Sequence, residues 1–104
     1  GSNCGPCRGE SPNMIKLSQS IPQDSLVLIG LGDADEQKAR AFVKDQKLTY
    51  ANAVAPRSVL QDYGITYYPA TYLIDPEGKI LAKGLKGATL LEDVREQMRM
   101  YAAK

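Results

Sequence analysis

A pair of cysteines near the start of the chain constrains the fold more than any other feature of the sequence. Cys4 and Cys7 are separated by Gly5 and Pro6 and lead into a helical pattern. They are the only two cysteines among the 104 residues, and the chain contains no histidine. A catalytic Ser–His or Cys–His pair is therefore excluded, because neither would have its base. A structural zinc site is not expected either, because no second C-x-x-C and no histidine can complete four ligands.

Length and composition indicate one soluble domain over residues 1–104. The hydrophobic fraction of 43% and the charged fraction of 24% are ordinary for a globular protein of this size. The formal net charge is +1, which gives no electrostatic reason to expect nucleic acid or a membrane surface as partner. No apolar run approaches the roughly 20 residues that a membrane span needs, so we expect no membrane insertion by this segment.

The first half of the chain alternates helical and extended patterns. Apolar residues recur at helical spacing after the cysteines: Met14, Leu17 and Ile21. Residues 26–31 form a continuous apolar run, which predicts a strand covered on both faces, as in a parallel sheet. Residues 33–46 predict a helix with acidic residues in its first turn. Residues 48–54 fit either a short extended segment or a loop.

The second half predicts a hairpin and a closing helix. Residues 70–74 and 79–83 predict antiparallel strands joined by the tight turn Asp75-Pro76-Glu77-Gly78. Thr89 and Glu92 fit a capping box at the start of the last helix. The predicted buried face of that helix consists of Leu91, Val94, Met98 and Tyr101. Alternation of this kind predicts an α/β fold with helices on both faces of a sheet.

These motifs resemble those of the thioredoxin superfamily, and most closely the TlpA/ResA-type thiol–disulfide oxidoreductases of its AhpC/TSA-related branch. The resemblance is carried by C-x-x-C-x-x-E-x-P over residues 4–12, by Tyr63-Gly64-Ile65 and by residues 68–79. It covers nearly the whole chain, and the motifs come in the family's order and spacing. It implies a thioredoxin-like fold, with a mixed sheet flanked by helices.

The start of the chain departs from that family. The family has an apolar strand directly before the dithiol, in the middle of the sheet, whereas only Gly-Ser-Asn precedes Cys4. We therefore expect a domain that lacks this strand and is truncated at its N-terminus. The strands near residues 26 and 70 would then have no partner between them. Asn3 stands where the family often has Trp, which changes the packing beside Cys4 but not its chemistry.

The resemblance implies a thiol–disulfide oxidoreductase with Cys4 as nucleophile and Cys7 as resolving thiol. At a helix N-terminus the pKa of Cys4 is expected below about 8.5, because the backbone donors and the helix dipole favour a thiolate. Gly5 and Pro6 would tune the pair and face the substrate, and Pro6 fits the first helical turn without losing a bond. Strong oxidants of the superfamily usually place a histidine between the cysteines. Because this chain has none, we expect a reductant near about −270 mV.

Three further site residues follow from the same resemblance. The proline that faces the dithiol is cis in this superfamily, which implies a cis Pro69 and a Tyr68 backbone turned toward an extended substrate peptide. Glu10 lies three residues after Cys7 and is implied to manage protons for that cysteine. The alternative for Glu10 is an exposed side chain that merely interacts with the helix dipole.

The resemblance also implies the partners. The dithiol is its own redox carrier, so no cofactor and no metal are expected; the partners would be protein disulfides or dithiols and an unidentified electron donor. Two other functions stay open: a thiol peroxidase, in which Cys4 would replace the usual Thr, and a binding module without turnover. The family branch implies an extracytoplasmic location, in the bacterial periplasm or tethered to a membrane, and the cytoplasm is the alternative.

Overall fold

The computed structural model describes residues 5–32, 35–54, 57–63 and 70–103, and all structural statements below refer to these residues. The elements follow one another as α1 (Gly5–Ser20), β1 (Ile29–Gly32), α2 (Glu36–Asp45), β2 (Ala51–Val54), α3 (Arg57–Asp62), β3 (Tyr72–Ile74), β4 (Ile80–Lys83), a 3-10 helix (Gly87–Thr89) and α4 (Leu90–Ala102). The predicted alternation of helices and strands is confirmed, and the segment whose type was open contains β2.

The described strands form two separate two-stranded sheets. β1 pairs with β2 in parallel, from Ile29 opposite Ala51 to Gly32 opposite Val54. β3 pairs with β4 in an antiparallel hairpin, with a register irregularity between Leu73 and Ile74. The predicted hairpin is thus confirmed. β1 and β3, the strands predicted to have no partner between them, lie in different sheets.

The expectation that the apolar run before α2 is covered on both faces is wrong. Val27 is 67% exposed, Ile29 56% and Leu31 50%, whereas Leu26 and Leu28 pack against the core. Successive side chains of an extended segment point to opposite faces, so alternate residues of this run face different surroundings. Only one of the two faces is covered by the described residues.

The hydrophobic core lies between α1, the start of α4 and the segment that leads into β1. Its buried members are Leu17, Ile21, Leu90, Leu91 and Val94. Met14 and Met98 pack against this cluster and are half-buried. The predicted apolar face of the first helix is therefore confirmed, and so is that of the last helix at Leu91, Val94 and Met98. Tyr101 was predicted on the same face but does not belong to this cluster.

The two predicted helix starts have different outcomes. Asp35 caps α2, because its Oδ1 accepts hydrogen bonds from the backbone N–H groups of Gln37 at 2.9 Å and Lys38 at 3.2 Å. The capping box at Thr89 is wrong. Thr89 ends the preceding 3-10 helix with φ −97° and ψ 5°, and its hydroxyl donates to Asp93 Oδ2 at 2.9 Å. Its backbone is not extended as in an ordinary N-cap, so the hydroxyl bonds a side chain instead.

The hairpin turn forms as the sequence predicts. Asp75 Oδ1 accepts the backbone N–H groups of Glu77 at 3.0 Å and Lys79 at 2.8 Å. Gly78 has a φ of 88°, which a residue without Cβ adopts at little cost. In the ranges that the structure describes, no helix has the length and apolar character to cross a membrane.

Candidate active site

The candidate site lies at the start of α1. This helix begins at Gly5, the residue after Cys4, and contains Pro6 and Cys7 in its first turn. Cys7 is half-buried and disulfide-bonded. Ser11 is buried, and its hydroxyl donates to the Cys7 carbonyl oxygen at 3.4 Å. Cys7 therefore lies in helical backbone that Ser11 also bonds, one turn further along α1.

One face of α1 runs from Cys7 toward the core. Residues three or four apart on a helix lie on the same side. The face consists of Cys7, Glu10, Met14 and Leu17, and Ile21 continues it directly after the helix. Cys7 and Met14 are half-buried, and Leu17 is 3% exposed. Glu10 lies between the sulfur and the apolar residues and is only 8% exposed.

Glu10 has a definite partner on another element. Its Oε1 accepts a hydrogen bond from the backbone N–H of Gly87 at 2.8 Å. Gly87 is the first residue of the 3-10 helix before α4 and has a φ of 82°. The first N–H groups of a helix have no partner within it, so a carboxylate there is favourable. The alternative of an exposed Glu10 is therefore wrong, because the side chain is buried and bonded across the fold.

Arg8, the residue after Cys7, ties α1 to α2. Its Nη1 lies 2.8 Å from Asp45 Oδ2, and its guanidinium lies 5.4 Å from the centre of the Phe42 ring. A hydrogen bond from Gln46, followed in weight by one from Arg8, lowers the pKa of Asp45. Both charged side chains are largely exposed, so water screens the pair. The contact is one link between α2 and the cysteine-bearing helix.

The structure does not describe three of the predicted site residues, and it describes a fourth only in part. Cys4, Tyr68 and Pro69 lie outside the described residues, and of Pro6 only the helical backbone is described. The flanks of residues 64–69 are held together, because the Tyr72 hydroxyl donates to the Tyr63 carbonyl oxygen at 2.8 Å. The rings of these two tyrosines meet edge to face, with centroids 5.2 Å apart.

Sequence reasoning missed two residues at this site, Gly87 and Asp45, because neither belongs to a recognised motif. The motif spacing singled out Glu10 but could not indicate its partner, which is 77 residues away in the sequence. The glycine itself was the available signal, because a glycine before a helix often marks a positive φ. Within the described ranges, no three His, Cys, Asp or Glu side chains are grouped as a metal site requires.

The structure is similar to solved thioredoxin domains. The thioredoxin domain of a thiol-disulfide oxidoreductase from Bacteroides vulgatus matches with a TM-score of 0.83 and 28% identity, over 91% of this chain and 71% of that one. The solution structure of a thiol:disulfide interchange protein from Bacteroides sp. matches with a TM-score of 0.81 and 27% identity, over 93% of this chain and 67% of that one. The fold is therefore thioredoxin-like, as the motifs predicted.

The chain belongs to the AhpC/TSA family, which it matches over residues 1–83. Thiol-disulfide oxidoreductase ResA of Bacillus thuringiensis subsp. konkukian is 32% identical in an alignment 107 positions long, which covers 100% of this chain and 58% of that protein. Thioredoxin-like protein YneN of Bacillus subtilis is 32% identical in an alignment 81 positions long, which covers 74% of this chain and 47% of that protein. The predicted resemblance to the ResA-type branch is thus confirmed. The chain spans about half the length of these curated relatives.

Proposed function

We propose that this chain is a thiol–disulfide oxidoreductase that reduces disulfides in other proteins. The observation that carries the proposal is Cys7, a disulfide-bonded and half-buried cysteine in the first turn of α1. Relatives named as thiol-disulfide oxidoreductases support it. The proposed substrates are protein disulfides, and a dithiol donor of unassigned identity restores the reduced enzyme.

The proposed reaction exchanges one disulfide for another. The Cys4 thiolate attacks one sulfur of the substrate disulfide, a mixed disulfide forms, and the first substrate thiolate leaves. Cys7 loses its proton and attacks the Cys4 sulfur, which releases the second substrate thiolate and leaves a Cys4–Cys7 disulfide. The substrate gains two electrons and two protons in total. The donor later supplies two electrons and two protons to the enzyme.

The other predicted residues take roles in the same scheme. Gly5, Pro6, Tyr68 and Pro69 would contact the substrate, with the Tyr68 backbone paired to an extended peptide. Glu10 would accept the Cys7 proton when that thiol attacks, because it lies one helical turn further on the same face of α1. Burial of Glu10 supports this role, since a carboxylate screened from bulk water exchanges protons mainly with its neighbours.

Single-cysteine variants test the order of attack. In Cys7→Ser we expect a stable mixed disulfide with a model substrate protein and no turnover, because nothing resolves the intermediate. In Cys4→Ser we expect neither turnover nor trapping. Equal trapping by both variants would contradict the assignment of Cys4 as the nucleophile. Wild-type protein that consumes peroxide but reduces no disulfide would establish the peroxidase alternative, and complete absence of turnover would leave a binding module.

The direction of electron flow is tested by the reduction potential of the pair. We expect a value near about −270 mV in dithiothreitol buffers with thiol trapping, as for thioredoxin. A value near about −120 mV would mark an oxidant and reverse the proposed direction.

We also propose that the protein works outside the cytoplasm, as the family branch suggests. A membrane-impermeant thiol reagent applied to intact cells should then label the reduced cysteines. Labelling only after the cells are lysed would place the protein in the cytoplasm.

A further inference from the structure

The hydrogen bond between Glu10 and Gly87 joins the cysteine-bearing helix to the turn before α4. The Gly87 N–H donates to Glu10 Oε1 at 2.8 Å, and the carboxylate is 8% exposed. Gly87 has a φ of 82°, and a Cβ added to it would meet no atom within 4 Å. Conformation, and not lack of space, therefore requires a glycine at this position.

No other group near this turn takes the place of Glu10 as acceptor. Lys86 precedes the 3-10 helix in an extended conformation and makes no side-chain capping bond. Thr89 directs its hydroxyl to Asp93 instead. A free backbone N–H at the start of a helix bonds a carboxylate more strongly than it bonds a neutral acceptor. The turn is thus built so that its first N–H donates to Oε1 of Glu10.

We propose that Gly87 is a positioning residue for the active-site carboxylate. Its N–H fixes Oε1 of Glu10 and leaves the second oxygen, Oε2, for proton exchange with Cys7, one helical turn away. The inference rests on the proposed function, because it assigns a support to the residue that would handle the Cys7 proton. The positive φ of Gly87 is then a requirement of the reaction as well as of the fold.

Other charged groups lie on the elements that pack against this site. The 3-10 helix and α4 pack against α1. The charged residues on them and on the connector before them are Lys86, Glu92, Asp93, Arg95, Glu96 and Arg99. Asp93 bonds Thr89, and Arg99 pairs with Glu96. On α1 itself, Arg8 is paired with Asp45 of α2. Glu10 is the buried carboxylate among these described groups.

A matched pair of glycine variants tests the proposal. Gly84 lies in the same connector, has a φ of 73° and also leaves open space for a Cβ, but it does not contact Glu10. Alanine strains both positions similarly. In Gly87→Ala the backbone relaxes and turns the N–H away from Glu10. We expect the kcat of disulfide reduction to fall roughly tenfold with KM nearly unchanged, because the lost hydrogen bond no longer holds Oε1 of Glu10 in place. Gly84→Ala should keep the wild-type kcat.

A direct measurement on folded protein complements the kinetics. The Gly87 amide proton resonance of the wild type should move in Glu10→Gln, because an amide oxygen replaces the carboxyl oxygen that accepts the bond. Glu10→Gln should also slow turnover, although its amide oxygen can still accept the bond. If wild type turns over but both glycine variants keep its kcat, or if the Gly87 amide does not respond to Glu10, the proposal is overturned. A wild type without turnover would instead overturn the proposed function.

Discussion

Single side chains in this protein are held by bonds to residues that are distant in the sequence. Tyr101 on α4 illustrates this, because its hydroxyl donates to Glu77 Oε2 at 2.8 Å in the hairpin turn. The hydrogen bond to Glu77 is the main cause that raises the pKa of Tyr101. The bond forms only while the phenol keeps its proton, so it ties the closing helix to the hairpin at neutral pH.

The pH dependence of this bond has a definite sign. Because folding raises the pKa of Tyr101, the stabilisation is complete below the unfolded value of about 10 and is lost as the pH rises through the higher folded value. We expect Tyr101→Phe to lower the melting temperature at pH 7. Above about pH 10, the melting temperature of this variant should fall less steeply with pH than that of the wild type. Glu77→Gln, which keeps an acceptor, should have the smaller effect at pH 7. Parallel melting curves for wild type and Tyr101→Phe across this range would contradict the assignment.

The sequence could single out candidate site residues but not most of their hydrogen-bond partners. Spacing and residue type singled out Cys7 and Glu10, because both follow from a short motif on one helix. The bond from Gly87 to Glu10 depends on how two distant segments pack, and no local pattern encodes it. The roles of Cys4 and Pro69 stay predictions, since both lie outside the described residues.

At the scale of elements, the contact between α1 and α4 carries the core. Leu17 is 3% exposed there, whereas Ile80 on β4 is 46% exposed. We expect Leu17→Ala to lower the free energy of unfolding by about 2–5 kcal/mol, because it removes buried methyl groups and leaves a cavity. Ile80→Ala should change it by less than about 1 kcal/mol. Urea denaturation followed by circular dichroism measures both, and equal losses would show that the core lies elsewhere.

The contact between α1 and α2 depends on ionisation of Asp45. Folding lowers the pKa of Asp45, so its stabilisation is complete above the unfolded value of about 3.9 and is lost as the pH falls through the lower folded value. Carboxyl carbon resonances should show this pKa rising in Gln46→Ala and also in Arg8→Ala. Arg40→Ala, whose own partner is Glu36, is the control and should leave Asp45 unchanged. If the pKa of Asp45 did not change in Arg8→Ala, Asp45 would not interact with the cysteine-bearing helix through Arg8.

Regular elements were predictable where their pattern is local. The helices α1 and α4 follow from apolar residues at helical spacing, and the hairpin follows from its turn residues. The burial of β1 was not predictable, because an apolar run does not reveal which neighbours reach its second face. Thr89 and Glu92 matched a capping box, but the intervening 3-10 helix gave Thr89 a backbone conformation in which the box does not form.

For the molecule as a whole, the order of motifs was sufficient to predict a thioredoxin-like fold, and similar solved structures confirm it. In such a protein the reduction potential and the folding stability are linked. When a cysteine pair has a low reduction potential, the folded protein is more stable with the disulfide formed than with the two thiols reduced. Oxidants of the superfamily show the opposite, because folding stabilises their reduced form.

The proposed reductant should therefore melt at a higher temperature when oxidised than when reduced. Calorimetry on the whole chain, with and without a phosphine reductant, measures the difference directly. The double variant Cys4→Ser/Cys7→Ser is the control, and its melting temperature should not respond to the reductant. Reversal of the sign, with the reduced form melting higher, would mean that folding favours the dithiol and that the protein oxidises its partners. Equal melting temperatures would mean that folding does not tune the pair, and the proposed value near about −270 mV would then fail.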